Sequence, residues 1–180
     1  MKNKRLIWQI PFLLLLIFGS LYVIRQQQNT PYQRDEGFIF GTIYHITYQS
    51  DVNYQKEIEA ELQKVDNSLS PFNKTSIISR INRNEDVKVD NMFAEVFQLA
   101  EKISKETDGA FDITVAPMVN AWGFGFKTGN PPTQQTVDSL RAIVGFQKVT
   151  LKEEHVKKQN PHIMLDCSAI AKGYGSDIVA

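Results

Sequence analysis

The run from Leu6 to Ile24 is apolar apart from Gln9, Gly19 and Ser20, and it limits what the chain can build more than any other feature. A run of this kind approaches the ~20 residues that span a bilayer core. A helix with no polar face has nowhere to sit in a small globular domain, because a surface helix needs a wet side. Lys2, Lys4 and Arg5 precede the run, so the excess of positive charge predicts an N-terminus in the cytoplasm and the remainder beyond the membrane, on the periplasmic side. A signal peptidase site requires small residues at alternate positions, and Phe18-Gly19-Ser20 offers a poor version. The segment is therefore expected to be an uncleaved membrane anchor, with a cleaved signal peptide as the alternative. Residues 1–25 form this anchor or signal segment. Residues 26–36 are polar, carry Pro31 and read as a tether. Residues 37–180 form the globular part.

Charge excludes one large class of partner for that part. Lys+Arg and Asp+Glu both number 20, and no basic run follows the N-terminus, so a broad nucleic-acid-binding face is not expected. The single Cys167 can form neither an internal disulfide nor a multi-thiolate metal site.

Periodicity supplies the elements. FIFGTIYHITY, Phe38 to Tyr48, alternates as one strand interrupted at Gly41, where a bulge or a close backbone approach is expected. His45 inside it reads as a packed or half-exposed histidine. Ile58, Leu62, Val65 and Leu69 lie at helical spacing within Tyr54 to Leu69, and a short helix, Ser76 to Asn82, follows Ser70-Pro71-Phe72-Asn73. Val87 to Val89 reads as a brief strand. Asp90 or Asn91 then caps a helix to about Thr107, with Phe93, Val96, Phe97, Ala100 and Ile103 as its buried stripe. Gly129-Asn130-Pro131-Pro132 breaks the chain before a helix from Thr136 to Val144. Lys148 to Leu151 and Ile163 to Leu165 read as strands either side of a charged turn, with His155 and His162 solvated.

Two stretches fit neither period. TDGAFDITVAPMVNAWGFG, Thr107 to Gly125, reads as a loop in which Gly109 takes positive φ just past a helix end and swings Ala110, Phe111 and Asp112 off the axis. Trp122, Phe124 and Phe126 alternate with Gly123 and Gly125, which suits either flat rings beside a ligand or an aromatic mini-core under a loop. In LDCSAIAKGYG, Leu165 to Gly175, a carboxylate ends a strand and a lysine follows one turn into a helix. That pattern can hold a phosphate-bearing ligand. Asp166 as a helix cap and Lys172 as a surface charge fit equally well.

DGAFDIT, PMVNAWGFG and LDCSAIAKGY together resemble hallmark stretches of the ApbE family of FAD:protein FMN transferases, and LSPFNKTSIISRIN is similar to a fourth; the likeness runs from near Phe40 to residue 180. The resemblance implies that Phe40, Phe72, Ala110, Phe111, Asp112, Asp166 and Lys172 contact the flavin nucleotide. At position 40 the family usually has Met, and an aromatic can keep the apolar contact. Phe72 also reads as a hydrophobic plug. The backbone carbonyl of Ala169 is implied to reach Mg²⁺. The family's side-chain metal ligands, in a D-x-x-x-T arrangement, lie in a half that this sequence does not include, so an N-terminal fragment with an incomplete Mg²⁺ site is expected.

The implied reaction moves FMN from FAD to a threonine of an acceptor protein, with AMP as the leaving group. It needs alignment and charge neutralisation more than covalent help, and the absence of clustered Cys or His favours Mg²⁺ over zinc. No side chain presents itself as the general base. Flavin-bearing subunits of membrane redox complexes are the implied acceptors. A Mg²⁺-dependent FAD pyrophosphatase, or a non-catalytic membrane-tethered flavin-binding module, are the alternatives. The expected fold is α+β, a mixed or antiparallel sheet with packed helices behind the N-terminal helix; without a βαβ repeat or a GxGxxG after the first strand, a Rossmann domain is not expected.

The apolar run yields a direct test. A topology reporter fused after Gln33 should be active on the extracytoplasmic side and fractionate with membranes, whereas cytoplasmic activity would overturn the predicted orientation.

Overall fold

The computed structural model describes residues 3–124 and 131–180. Lys2, Gly125, Phe126, Gly129 and Asn130, all used in the sequence reading, lie outside the described residues. The chain divides into two units, Met1–Gly37 with Tyr44–Gln55, and Phe38–Ile43 with Lys56–Ala180. The fold is α+β, with two small two-stranded sheets and helices.

In the first unit, helix α1 (Asn3–Asn29) contains the Gln9–Gln26 segment, which is long and apolar enough to cross a membrane and of which nothing is buried. Strands β1 (Tyr32–Ile39) and β2 (Thr42–Gln49) follow as a hairpin, whose tip, Phe38–Ile43, is counted with the second unit. Asp35 is its buried polar centre: it accepts from the Tyr48 hydroxyl at 2.8 Å and from Asn53 Nδ2 at 2.9 Å. The Tyr48 hydroxyl oxygen in turn accepts from the Tyr54 N–H at 2.6 Å.

This hairpin corrects the expectation of a single bulged strand. Phe40 and Gly41 both have positive φ, 53° and 72°, so they form the two-residue turn whose twist suits antiparallel strands. A two-residue turn does not interrupt a period of two, so alternation alone runs straight through it. The polar segment expected as a tether, 26–36, carries the end of α1 and the start of β1. Two bonds fasten it to the end of β2: Gln33 Nε2 donates to Ser50 O, and Thr30 O accepts from Gln49 Nε2.

In the second unit the helices begin where their caps dictate. Helix α2 (Gln55–Leu69) buries Ile58, Leu62, Val65 and Leu69. Helix α3 (Ile77–Asn82) is capped by Ser76, whose hydroxyl accepts from Ser79 N. Helix α4 (Asn91–Glu106) is capped by Asp90, which accepts from Phe93 N at 2.8 Å and from the Ser68 hydroxyl at 2.8 Å. Each such side-chain acceptor satisfies an amide that the helix itself leaves open. The core gathers Val65, Leu69, Ile78, Phe93, Val96, Ile163 and Leu165, with Phe93 stacked on Phe97 at 6.2 Å between ring centroids.

Strands β3 (Val149–Lys152) and β4 (His155–Lys158) pair antiparallel with Val149 opposite Lys158. The expected strands, 148–151 and 163–165, flank a charged turn; the second strand lies at 155–158 instead. The difference lies at Glu153 and Glu154, both left-handed (φ 49° and 61°), which return the chain at once and leave 163–165 free to pair elsewhere. Val87 to Val89 is no strand; Val89 N makes one bond to Glu154 O. The loop expected over 107–125 contains helix α5 (Ala116–Ala121), and α6 (Gln134–Ile143) and α7 (Ser168–Val179) complete the unit.

Phe93 is 1% exposed, so Phe93→Ala should lower stability by about 3–5 kcal/mol. The denaturant midpoint of the whole protein reads this directly, and a loss under about 1 kcal/mol would remove Phe93 from the core.

Candidate functional site

Two segments far apart in sequence meet by backbone pairing. Asp166 N donates to Ile113 O at 2.7 Å, and Val115 and Met164 form a parallel bridge. Asn82 clamps the second segment: its Nδ2 donates to Leu165 O at 2.9 Å and its Oδ1 accepts from Leu165 N at 2.7 Å. One side-chain amide thus supplies the two bonds that a neighbouring strand residue would. Helices α5 and α7 start directly after the paired segments, so both begin beyond the carboxyl ends of a parallel pair, where α/β proteins commonly open a crevice. A cavity of about 270 Å³ lies there, lined by Phe72, Asn82, Asn120, Met164, Asp166 and Lys172 among others. A more apolar cavity of about 500 Å³, bordered by Lys74 and Arg83, shares Pro71, Phe72, Asn82 and Met164 with it.

Of the residues expected to contact a ligand, Phe72, Asp166 and Lys172 come together in this cavity. Phe72 is 57% exposed, which does not suit a plug holding the loop to the core. Its ring covers Gly41, where a Cβ would come within 3.3 Å of it. Phe40 is half-buried against the core, and a Cβ on Gly175 would meet its ring at 3.3 Å. Phe40, Phe72 and Lys172 border a small neighbouring cavity.

Ala110, Phe111 and Asp112 are not among the residues lining these cavities. Gly109 has φ 78° and Asp108 φ 52°, the expected left-handed exit from a helix. Ala110 is exposed and Phe111 packs on the core. Asp112 uses both oxygens locally. Oδ1 accepts from the N–H and the hydroxyl of Thr114, each at 2.7 Å, and Oδ2 accepts from Phe146 N at 2.7 Å. Thr114 Oγ1 accepts from Gly145 N at 2.8 Å. The carboxylate therefore ties the central turn to residues 145 and 146.

Asp166 Oδ1 accepts from Ser168 N at 2.8 Å, while Oδ2 has no hydrogen bond among the described residues. Cys167 is 1% exposed, and burial together with the Asp166 charge pushes its thiol up to about 12. The thiol stays protonated and is no nucleophile. Lys172 lies exposed one turn into α7, and the N-terminal end of that helix adds partial positive charge. The arrangement suits an anion with an apolar body.

A divalent cation fits the chain's own residues poorly. Asp166 Oδ2 and the Ala169 carbonyl are hard oxygens of the kind Mg²⁺ prefers. Among the described residues, however, no three His, Cys, Asp or Glu side chains gather to hold an ion. Ala169 is exposed in the first turn of α7, where carbonyls are already committed to the helix ladder.

Asn82, Asn120 and Met164 are among the lining residues that sequence reasoning missed. An amide at the last position of a helix whose buried members are Ile78, Ser79 and Ile81 was the available signal for Asn82. Its partner, 83 residues away, was not.

The ApbE family model matches residues 40–180. The chain is 39% identical over 135 residues to the FAD:protein FMN transferase of Haemophilus influenzae, covering 69% of this chain and 39% of the relative. It is 31% identical over 134 residues to the FAD:protein FMN transferase of Escherichia coli K12, covering 69% and 38%. Among solved structures, the flavin transferase ApbE from Vibrio cholerae superposes with a TM-score of 0.77 at 32% identity, over 83% of this chain and 52% of that one. The apo form of Pseudomonas stutzeri flavinyl transferase ApbE gives 0.74 at 27% identity, over 83% and 54%. The chain thus spans about half the length of these solved relatives and 39% of the first curated one.

The bonding of Asp112 sets the outcome of its isosteric replacement. Asp112→Asn puts an amide donor against N–H groups and should lower stability by about 1–3 kcal/mol, leaving ligand affinity per folded molecule unchanged. Melting temperature and FAD affinity measured on one sample decide it. Lost affinity at an unchanged melting point would return Asp112 to the ligand.

Proposed function

The chain belongs to the ApbE family, and on that premise we propose that the whole protein transfers the FMN half of FAD to a threonine of an acceptor protein. The observation that carries this reading is the meeting of Phe72, Asp166 and Lys172, from two separated motif blocks, around one cavity beside the start of α7. Lys172 and the α7 N-terminus offset phosphate charge, and Phe72 and Met164 in the cavity lining give it an apolar side suited to flat ring systems. Such a site aligns a pyrophosphate rather than attacking it. The threonine oxygen bonds to the phosphorus on the riboflavin side, the bond to the AMP phosphate breaks, AMP departs with that electron pair, and the hydroxyl proton is released. Phosphoryl chemistry of this type is driven by positioning and electrostatics.

In this reading Phe40, Phe72, Asp166 and Lys172 bind the nucleotide. Mg²⁺ would counter phosphate charge if bound, and the Ala169 carbonyl and Asp166 Oδ2 are the hard oxygens this chain would turn toward it, without making a complete site by themselves. Segment 1–25 anchors residues 37–180 on the periplasmic side, where flavin-bearing subunits of membrane redox complexes are the acceptors.

Incubating the whole protein with FAD, Mg²⁺ and such a subunit should give a fluorescent acceptor band on a denaturing gel, a mass gain equal to bound FMN, and one AMP per flavin attached. AMP with free FMN and an unmodified acceptor would make the protein a pyrophosphatase. FAD retained without turnover would make it a binding module.

A further inference from the structure

Ser70 is 2% exposed and its hydroxyl has no hydrogen-bond partner among the described residues, although its backbone is fully used: N–H to Asp66 O at 3.1 Å, and carbonyl to the Ser76 hydroxyl at 2.7 Å. A buried hydroxyl without a partner costs stability, so proteins keep few of them. This one lines a cavity of about 20 Å³ together with Phe40, Phe72, Ser168 and Lys172. That volume admits a single water-sized group and no more. The small cavity shares Pro71, Phe72, Ser168 and Lys172 with the 270 Å³ cavity, so a molecule seated in the larger space can place one atom in the smaller.

The chemistry around that atom is one-sided. The Lys172 ammonium carries three donors and no acceptor. Helix α7 is 12 residues long, and its first turn carries the partial positive charge of a helix start, with no side-chain cap from Cys167. Ser70 adds a hydroxyl whose proton is uncommitted. Lys172 and the helix start favour an acceptor that carries negative charge, and the hydroxyls of Ser70 and Ser168 can each donate to it. We infer that Ser70 Oγ donates a hydrogen bond to one phosphoryl oxygen of the nucleotide bound in the larger cavity, making Ser70 a binding residue alongside Lys172. The inference rests on the flavin-nucleotide reading above for the identity of the ligand, and on the geometry alone for its anionic class.

Ser104 provides an internal control. It is likewise fully buried with an unpartnered hydroxyl, but it sits in α4 and lines none of the cavities described. Binding of FAD and of inorganic pyrophosphate to the whole protein is measured by calorimetry for wild type, Ser70→Ala and Ser104→Ala, with the melting temperature of each ligand-free protein. Ser70→Ala should bind both probes about tenfold more weakly, the size expected for one hydrogen bond to a charged group. Its ligand-free melting temperature should be unchanged or higher. Ser104→Ala should bind both as wild type does. Wild-type affinity in Ser70→Ala overturns the inference and leaves that hydroxyl to a structural water, and equal losses in both variants overturn it as a packing effect. Weaker FAD with unaltered pyrophosphate overturns the phosphoryl assignment. If wild type binds pyrophosphate but not FAD, the flavin reading fails, while the tenfold loss on pyrophosphate still upholds Ser70. Binding of neither probe by wild type sinks both.

Discussion

The parallel contact between residues 113–115 and 164–166 is the constraint on which the candidate site depends. It consists of one backbone hydrogen bond, Asp166 N to Ile113 O, and one bridge, Val115 with Met164. So short a pairing is marginal alone, because two-stranded pieces rarely hold together in water. Three supports make it persistent. Asn82 completes the hydrogen bonding of Leu165 from the other side. Ile113, Ile163 and Leu165 are buried in the common core. Lys158, on β4, donates through Nζ to Ile81 O and Ile163 O, and burial lowers its pKa.

The same pairing separates the roles of two carboxylates that look alike in sequence. Asp112 and Asp166 each lie next to a buried apolar residue and each accept from the amide two positions on. Asp112 spends its second oxygen on Phe146 N, so it is an internal tie. Asp166 keeps its second oxygen uncommitted and borders the cavity. Burial decides the fate of Cys167 between them in character: adjacent to Asp166 and enclosed, it is raised out of the reactive range.

The hairpin turn contributes at a distance in sequence. Phe40 reaches the core and Gly41 lies under the Phe72 ring. A left-handed non-glycine residue costs of order 1 kcal/mol, and the packing of the Phe40 ring against Gly175 offsets it. The absence of a side chain on Gly41 and Gly175 is what lets the Phe72 and Phe40 rings approach those two stretches of backbone.

What the sequence alone determined were features with a local physical cause. The apolar character of Gln9–Gln26 follows from composition, a cap at Asp90 or Asn91 from short-range hydrogen bonding, the buried stripe of α4 from its period, and the left-handed exit at Gly109 from the lack of a Cβ. The joint occurrence of DGAFDIT, LSPFN and LDCSAIAKGY pointed to the family, because agreement in several blocks does not depend on knowing how they pack. Tertiary structure alone decided the partners. The split of Phe38–Tyr48 into two strands was hidden because a two-residue turn preserves alternation. The return of β3 at Glu153-Glu154 depended on two left-handed glutamates that no propensity favours. The engagement of Asp112 with residue 146, of Asn82 with residue 165, and the isolation of the Ser70 hydroxyl are long-range outcomes: a side chain's donors and acceptors are visible in sequence, but which of them stay unspent is settled only when distant backbone arrives beside them.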